Sequence, residues 1–347
     1  MSPTLPSPRL IASESVPSLR WGIIGTSIAD RFVGAMHEFS TQRAVAVTAR
    51  TPDKTRDFAA THGIETVHDS VDALVADPNV DVVYVATPHP SHREQALAAI
   101  AHGKHVLIEK PIAMSAAEAR EICDAGRAAG VLVMEAMWTR YLPQSDILRQ
   151  VLADGLLGDV HLVLADFGFS APVNPDHRLW NPELGGGALL DAGVYPISFA
   201  SSVLGAPSAV HAVGATLENG VDLDASLALS YSSGSSALLS TSLRTTMPIE
   251  AQVLGSEGRF KVVSPFFGPT GVELTLGQFA TKELATWTDD RFPTSYGAMS
   301  DEATAFASYV GEGRTESPIH MHDEVVSVMA TIDDARAQLA TSGVPVV

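Results

Sequence analysis

A lysine, an aspartate and a tyrosine are the residues of this sequence best placed to move a proton. Lys110 follows the apolar run "KHVLIE" (104–109) and precedes Pro111. Such a strand end lies where parallel sheets bind substrates, and the proline limits how its loop can move. A desolvated ammonium there can hydrogen-bond a reacting hydroxyl or depress the pKa of a neighbouring acid. Asp191 and Tyr195 are four residues apart in "LGGGALLDAGVYPI" (184–197), so on a helix they share one face. The triple glycine before them either lets backbone approach a ligand or another element, or makes a plain turn. A phenol with its ordinary pKa near 10 is a poor base at neutral pH. An adjacent lysine ammonium would stabilise the phenolate and bring it into range.

Two kinds of sheet must position these groups. From Arg20 to about Met137 the chain alternates β-branched runs with alanine-rich amphipathic stretches. "RAVAVTAR" (43–50), "VDVVYVAT" (80–87), "KHVLIE" and "GVLVMEA" (130–136) are continuous apolar runs, as expected of strands buried on both faces of a parallel sheet. Between them "PSHREQALAAIAHG" and "SAAEAREICDAGRAAG" have helical period and end at glycine. This βαβ repetition predicts an α/β fold with an open, doubly wound parallel sheet binding ligands at the carboxyl ends of its strands. After about residue 155 runs such as "DVHLVLADFGFS" and "ASLALSYSSGSSALLSTSL" read as antiparallel strands joined by glycine-containing turns, with flanking helices at "GALLDAGVYPISFASSVLG", "DEATAFASYVGEG" and "MHDEVVSVMATIDDARAQLA". The expected division is a disordered tail at 1–19, a dinucleotide-binding Rossmann domain at 20–140, and an α+β domain at 141–347 with an open, mainly antiparallel sheet. The C-terminal helix is free to pack back on the Rossmann domain.

The turn "GTSIAD" (25–30) tests the nucleotide reading. After an apolar strand a glycine-rich fingerprint lets backbone N–H groups approach a pyrophosphate, but Ser27 stands at its second glycine position and Asp30 at its third. The next strand ends "TAR", which puts Arg50 where an NAD enzyme usually carries an acid for the ribose hydroxyls. An arginine there can pair with a 2′-phosphate, with Thr51, Lys54 and Arg56 close in sequence, so the expected cofactor is NADP, with NAD as the alternative.

Charge and composition remove other classes. The net charge of -18 is spread along the chain without a Lys/Arg run, which argues against nucleic acid. No apolar run approaches the roughly 20 residues that span a bilayer, and the first nineteen residues lack an apolar signal core. The single cysteine, Cys123, cannot form an internal disulfide and reads as a small half-buried residue. These points favour the cytoplasm. "HMH" (320–322) has no carboxylate or cysteine at metal spacing, so no metal is expected.

"VATPHPSH" (85–92), "IEKP" (108–111), "EAMWTRYLP" (135–143) and "LGGGALLDAGVYPI" occur in this order. With the N-terminal strand and turn they resemble the glucose-fructose oxidoreductase, inositol dehydrogenase and rhizopine catabolism superfamily. Within it the chain is most similar to the branch of dimeric trans-dihydrodiol dehydrogenases and NADP-dependent D-xylose 1-dehydrogenases. The resemblance runs from about Arg20 to the C-terminus. It implies hydride transfer between a polyol, sugar or dihydrodiol and NAD(P), in a homodimer formed through the open sheet. Relatives commonly read Gly-Thr-Gly or Gly-Thr-Ala, one variable residue, then Ile-Ala. "GTSIAD" thus aligns as a turn one residue shorter, with Ala29 at the third small position. The cofactor side then comprises Gly25, Thr26, Ser27, Ile28, Arg50, Thr51, Thr87, His92, Glu109, Lys110 and Trp138. The substrate side comprises Lys110, Trp138, Phe167, Arg178, Asp191 and Tyr195. On this reading Tyr195 exchanges a proton with the substrate hydroxyl, Lys110 tunes it and holds the oxygen, and Asp191 orients the substrate or the lysine. The inositol dehydrogenase branch carries histidine where Tyr195 stands, which favours the xylose and dihydrodiol side. The rival readings are a non-catalytic sugar or nucleotide sensor of the same fold and a redox-neutral enzyme that retains its cofactor.

Overall fold

The run "RWGII" folds as β1 (Arg20–Ile24), buried from its second residue onward. After it come α1 (Ala29–Phe39), β2 (Arg43–Thr48), α2 (Pro52–His62), β3 (Thr66–Val67), α3 (Val71–Val75), β4 (Val82–Val85), α4 (His92–Ala101), β5 (His105–Glu109), α5 (Ala116–Ala129) and β6 (Val133–Ala136). The strands pair in parallel in the order β3-β2-β1-β4-β5-β6. The order reverses between β1 and β4, the point at which doubly wound sheets bind ligands. Helix ends follow local chemistry. The Ser115 side chain accepts the Glu118 N–H ahead of α5, and Gly130, at φ 68°, closes it. The computed structural model describes residues 4–174, 176–277, 283–342 and 344–345.

The second sheet is built from β7 (Val160–Gly168) after α6 (Pro143–Ala153), and, beyond α7 (Val194–Leu204), from β8 (Ala209–Thr216), β9 (Asp222–Ser230), β10 (Ser236–Ser242), β11 (Ala251–Gly255), β12 (Gly258–Val262), β13 (Gly271–Leu276) and β14 (Glu283–Thr288). Helices α8 (Met299–Gly311) and α9 (His322–Ser342) and the short β15 (Val344–Pro345) complete the chain. The nine strands run β14-β13-β12-β11-β7-β10-β9-β8-β15, antiparallel except at β7/β10 and β8/β15. From Leu223 to Ser230, β9 broadly alternates buried inward residues with more exposed outward ones, as a one-sided sheet requires. Helix α7 covers β7 and β10. By length and hydropathy Pro182–Leu204 could cross a membrane, yet 72% of its apolar 18-residue stretch is buried within the protein. The opposite face presents Leu164, Asp166, His211, Val213, Ala228, Leu238 and Ser240, with Leu238 51% and Val213 68% exposed.

Two expected boundaries change. The chain forms two compact units, one of Leu10–Tyr141 with Phe292–Val326, the other of Met1–Arg9, Leu142–Arg291 and Ser327–Val347. Residues 292–326, expected in the second domain, therefore belong with the parallel sheet. The cause is aromatic packing. Trp21 on β1 lies 5.6 Å from Phe32 and 5.1 Å from Phe306 of α8, and Phe292 meets Phe39 at 5.0 Å. Burying a side chain such as Phe306 contributes about 2–3 kcal/mol. The segment expected to be a disordered tail is also tied down over its described part. The Arg9 main-chain N–H donates to Asp146 Oδ2 at 2.7 Å and its guanidinium to Oδ1 at 3.0 Å, while Gln150 donates to the Ser7 carbonyl. Composition alone could not show this, because the partner carboxylate is 137 residues away.

Candidate active site

In the Rossmann unit β1 ends at Gly25, whose φ of 97° favours glycine. A Cβ there would stand 2.5 Å from the Ala86 carbonyl oxygen beyond β4, so only glycine lets the two strand ends approach. The Thr26–Ile28 turn leads directly into α1, and a helix N-terminus offers N–H groups and partial positive charge to a pyrophosphate. Ala29 is fully buried at the start of α1. The exposed Asp30 carboxylate instead meets His62 Nε2 at 3.0 Å. These placements fit the shorter turn. Arg50 is exposed just beyond β2 and forms no ion pair among the described residues. Thr51 precedes α2 at its N-cap, and Arg56 is taken up by Asp53.

The ends of β4 and β5 carry Thr87, His92, Glu109 and Lys110 together. The Tyr84 hydroxyl donates to Glu109 Oε1, and Glu109 Oε2 accepts the Lys110 N–H at 3.2 Å. His92, expected to touch cofactor or substrate, is fully buried, with its ring nitrogens 2.8 Å from the Thr87 carbonyl oxygen and 3.0 Å from that of Pro111. Glu135 on β6 accepts the Ile112 N–H at 2.9 Å. Three side chains thus hold the main chain from Lys110 to Ile112. The other Glu135 oxygen lies 3.6 Å from Nε2 of the buried His320, so the "HMH" stretch has a carboxylate neighbour that its spacing did not reveal. No group of three or more His, Cys, Asp or Glu that could hold a metal occurs among the described residues.

Burial pushes the Glu135 carboxyl up to about 7, against the Ile112 N–H and the charges of Arg140 and Lys110. Glu302 of α8 is raised in the same direction by burial and by Glu109 and Glu135. Burial lowers His320. A carboxyl that holds its proton more tightly when folded stabilises the protein fully below its unfolded pKa, and that contribution is lost as pH rises through the folded value. For Glu135 the window is about 4.5 to 7 and the loss about 3 kcal/mol. Glu135→Gln is therefore expected to flatten the decline of unfolding free energy between pH 5 and 8, measured by urea titration. An unchanged slope would refute the assignment.

In the second unit Asp191 lies in a π-helical turn, Leu189–Gly193, and Tyr195 in the first turn of α7. Such turns recur at functional sites. Asp191 Oδ1 accepts from Arg178 Nη2 at 2.8 Å, with the carboxylate side chain 11% exposed. Phe167 stacks on Phe267 at 4.6 Å and 6°, and Tyr195 meets the two rings at 5.3 and 5.5 Å. Asp191 is thus paired with Arg178, and Tyr195 is grouped with Phe167 and Phe267. The triple glycine is a close approach rather than a plain turn, because a Cβ on Gly186 would stand 2.6 Å from the Leu179 carbonyl oxygen. Trp138, in the turn after β6, is buried and stacks on Tyr296 at 6.4 Å. The guanidinium of Arg31 covers the Tyr296 ring.

Sequence reading missed Phe267, Tyr84 and Glu135. Phe267 sits in a connection between strands, where no periodicity marks it. Tyr84 and Glu135 do leave a trace, as polar groups inside otherwise apolar strands.

A six-stranded parallel sheet with a glycine turn at its switch point, in a chain that also builds a mostly antiparallel sheet, is the architecture of a dinucleotide-binding protein. The chain belongs to the GFO/IDH/MocA family: residues 19–137 match the oxidoreductase family with an NAD-binding Rossmann fold, and residues 145–261 match the GFO/IDH/MocA C-terminal domain. It is 34% identical to trans-1,2-dihydrobenzene-1,2-diol dehydrogenase of Xenopus laevis over 92% of this chain and 98% of that protein. The enzyme of that name from Homo sapiens is 34% identical over 87% of this chain and 91% of its own. Among solved structures, KijD10, a 3-ketoreductase from Actinomadura kijaniata in complex with NADP and TDP-benzene, superposes with a TM-score of 0.80 at 25% identity, covering 95% and 99% of the two chains. Levoglucosan dehydrogenase in complex with NADH and levoglucosan shares the fold at a TM-score of 0.82 and 21% identity, covering 93% and 98%.

Proposed function

We propose that the protein oxidises a cyclic vicinal diol, a trans-dihydrodiol ahead of an aldose such as D-xylose, with NADP as the preferred cofactor. The observation that carries the reading is the Tyr195 phenol flanked by the stacked Phe167–Phe267 pair, with Asp191 on the same helical segment. An apolar aromatic wall favours a flat hydrocarbon ring, and Asp191 offers an acceptor to one of its hydroxyls. The Gly25 turn and the N-terminus of α1 suit a pyrophosphate, since a helix start offers N–H groups and partial positive charge. The bound nicotinamide would supply the hydride acceptor. Tyr195, as phenolate, takes the proton from the hydroxyl whose carbon loses the hydride, leaving a carbonyl. Lys110 supplies the ammonium that stabilises the phenolate, and its loop is held by Glu109, His92 and Glu135. The reverse reduction uses the same groups.

A screen of NADP and NAD reduction over trans-dihydrodiols, aldoses and inositols tests the reading. Turnover of a diol or aldose supports it. No nicotinamide reduction with any of them overturns it in favour of a sensor or a redox-neutral enzyme. Arg50→Ala is expected to raise KM for NADP by about ten- to a hundredfold, the effect of losing a charged hydrogen-bonding partner, and to leave NAD almost unaffected. Equal losses for both cofactors would assign Arg50 a packing part instead.

The open sheet face carrying Val213, Leu238, Leu164 and Ala228 supports a homodimer, because exposed apolar side chains gathered on one face mark an interaction surface. Sedimentation should give twice the 36.5 kDa chain mass, and a monomer would rule the dimer out. Cys123 is buried, its thiol pushed up to about 12 by burial. An inert lone thiol is at home in the cytoplasm, the location we assign.

A further inference from the structure

We infer that Asp222 is a positioning residue for Asp191 and Tyr195, anchoring the π-helical turn that carries the first and leads into the second. The inference rests on the proposed role of those two side chains. Asp222 opens β9, 33 residues along the chain from the turn, and is 4% exposed. Its Oδ2 accepts the Leu189 N–H at 2.6 Å. The first N–H groups of a helix have no partner within it, and a carboxylate is their strongest available acceptor. The fit is mutual. Gly187 has φ 124°, and a Cβ on it would stand 2.2 Å from Asp222 Oδ1, so glycine alone admits the carboxylate. From the adjacent strand β10, Thr241 Oγ1 donates to the Ala188 carbonyl at 3.3 Å, and the Asp191 N–H closes on the Gly187 carbonyl at 3.1 Å. Burial raises Asp222, while the Leu189 N–H and the charge of Arg336 in α9 oppose the shift. A carboxylate buried at such cost needs partners that offset it, and its hydrogen-bonding partners here include main-chain groups of the turn. Setting where the π turn begins is a structural task for it, because a slip of one residue would rotate the side chains that follow it, Asp191 and Tyr195 among them, by roughly a quarter of a turn.

The test compares Asp222→Ala, Asp222→Asn and Gly187→Ala in the full-length protein. Removing the acceptor is expected to lower kcat about a hundredfold, as displacement of a reacting group by an ångström does, with KM for NADP within about twofold. Asp222→Asn keeps an acceptor oxygen and should retain kcat within about fivefold. Gly187→Ala, which drives a methyl into the carboxylate, should reproduce the alanine defect. Hydrogen exchange at the Leu189 and Asp191 amides should accelerate in Asp222→Ala and stay slow in Asp222→Asn. The inference is overturned if Asp222→Ala keeps kcat, if its loss of activity only tracks the unfolded fraction, or if those amides stay protected. If Asp222→Ala does not fold, Gly187→Ala and Asp222→Asn decide on the same readouts. Wild-type protein inactive on every diol and sugar would defeat the functional reading, and hydrogen exchange would still judge the anchor.

Discussion

Tyr195→Phe is expected to reduce turnover by about two to four orders of magnitude, the usual contribution of a positioned acid or base, while cofactor affinity stays nearly unchanged. Only the hydroxyl is removed. The ring keeps its contacts with Phe167 and Phe267, and those contacts hold it in the aromatic group. The variant should therefore unfold at nearly the wild-type temperature, so that a fall in kcat reports chemistry rather than loss of folded protein. Steady-state kinetics with a trans-dihydrodiol and NADP, alongside a thermal melt, make the measurement. Near-normal turnover would remove Tyr195 from the mechanism. A fall in turnover matched by a large drop in melting temperature would assign the hydroxyl to the fold instead.

The parallel sheet was legible because its strands are buried on both faces and its helices close at glycine, so "VDVVYVAT" and "SAAEAREICDAGRAAG" each carry a strong local signal. The start of α1 also follows the sequence pattern, with Ala29 packed inside and Asp30 turned to His62. What could not be read depends on partners distant in sequence. Residues 292–326 join the Rossmann unit through Phe306 on Trp21, and no local pattern shows which sheet an apolar helix will choose. Asp222 looks like an ordinary strand-edge aspartate until Leu189 and Gly187 are found against it. His92 reads as a polar group opening a helix, the position of many ligand contacts, whereas its ring bridges two main-chain carbonyls beside Lys110. Local periodicity encodes elements, and the chemistry of a buried polar group is encoded only by what the fold brings to it.

Lys110→Met should lower kcat by about two to three orders of magnitude, the range seen when one preorganised electrostatic contact to a developing charge is lost. Methionine keeps an unbranched apolar stem, and three contacts to the loop are made by its main-chain atoms. Glu109 accepts the Lys110 main-chain N–H, His92 lies against the Pro111 carbonyl, and Glu135 accepts the Ile112 N–H. Those bonds survive the substitution, so folding and the geometry of the β5 end should persist. The distinguishing readout is the dependence of kcat on pH. Without an ammonium to stabilise the phenolate, the limb of the profile that reports the base moves toward the ordinary phenol range near 10. Residual activity should therefore rise with pH above the wild-type optimum. Lys110→Arg is not expected to restore activity, because a planar guanidinium cannot stand in for a compact ammonium at one oxygen. A reduced kcat with the wild-type pH profile would show that Lys110 holds substrate without tuning Tyr195. An unchanged kcat would remove it from the site altogether.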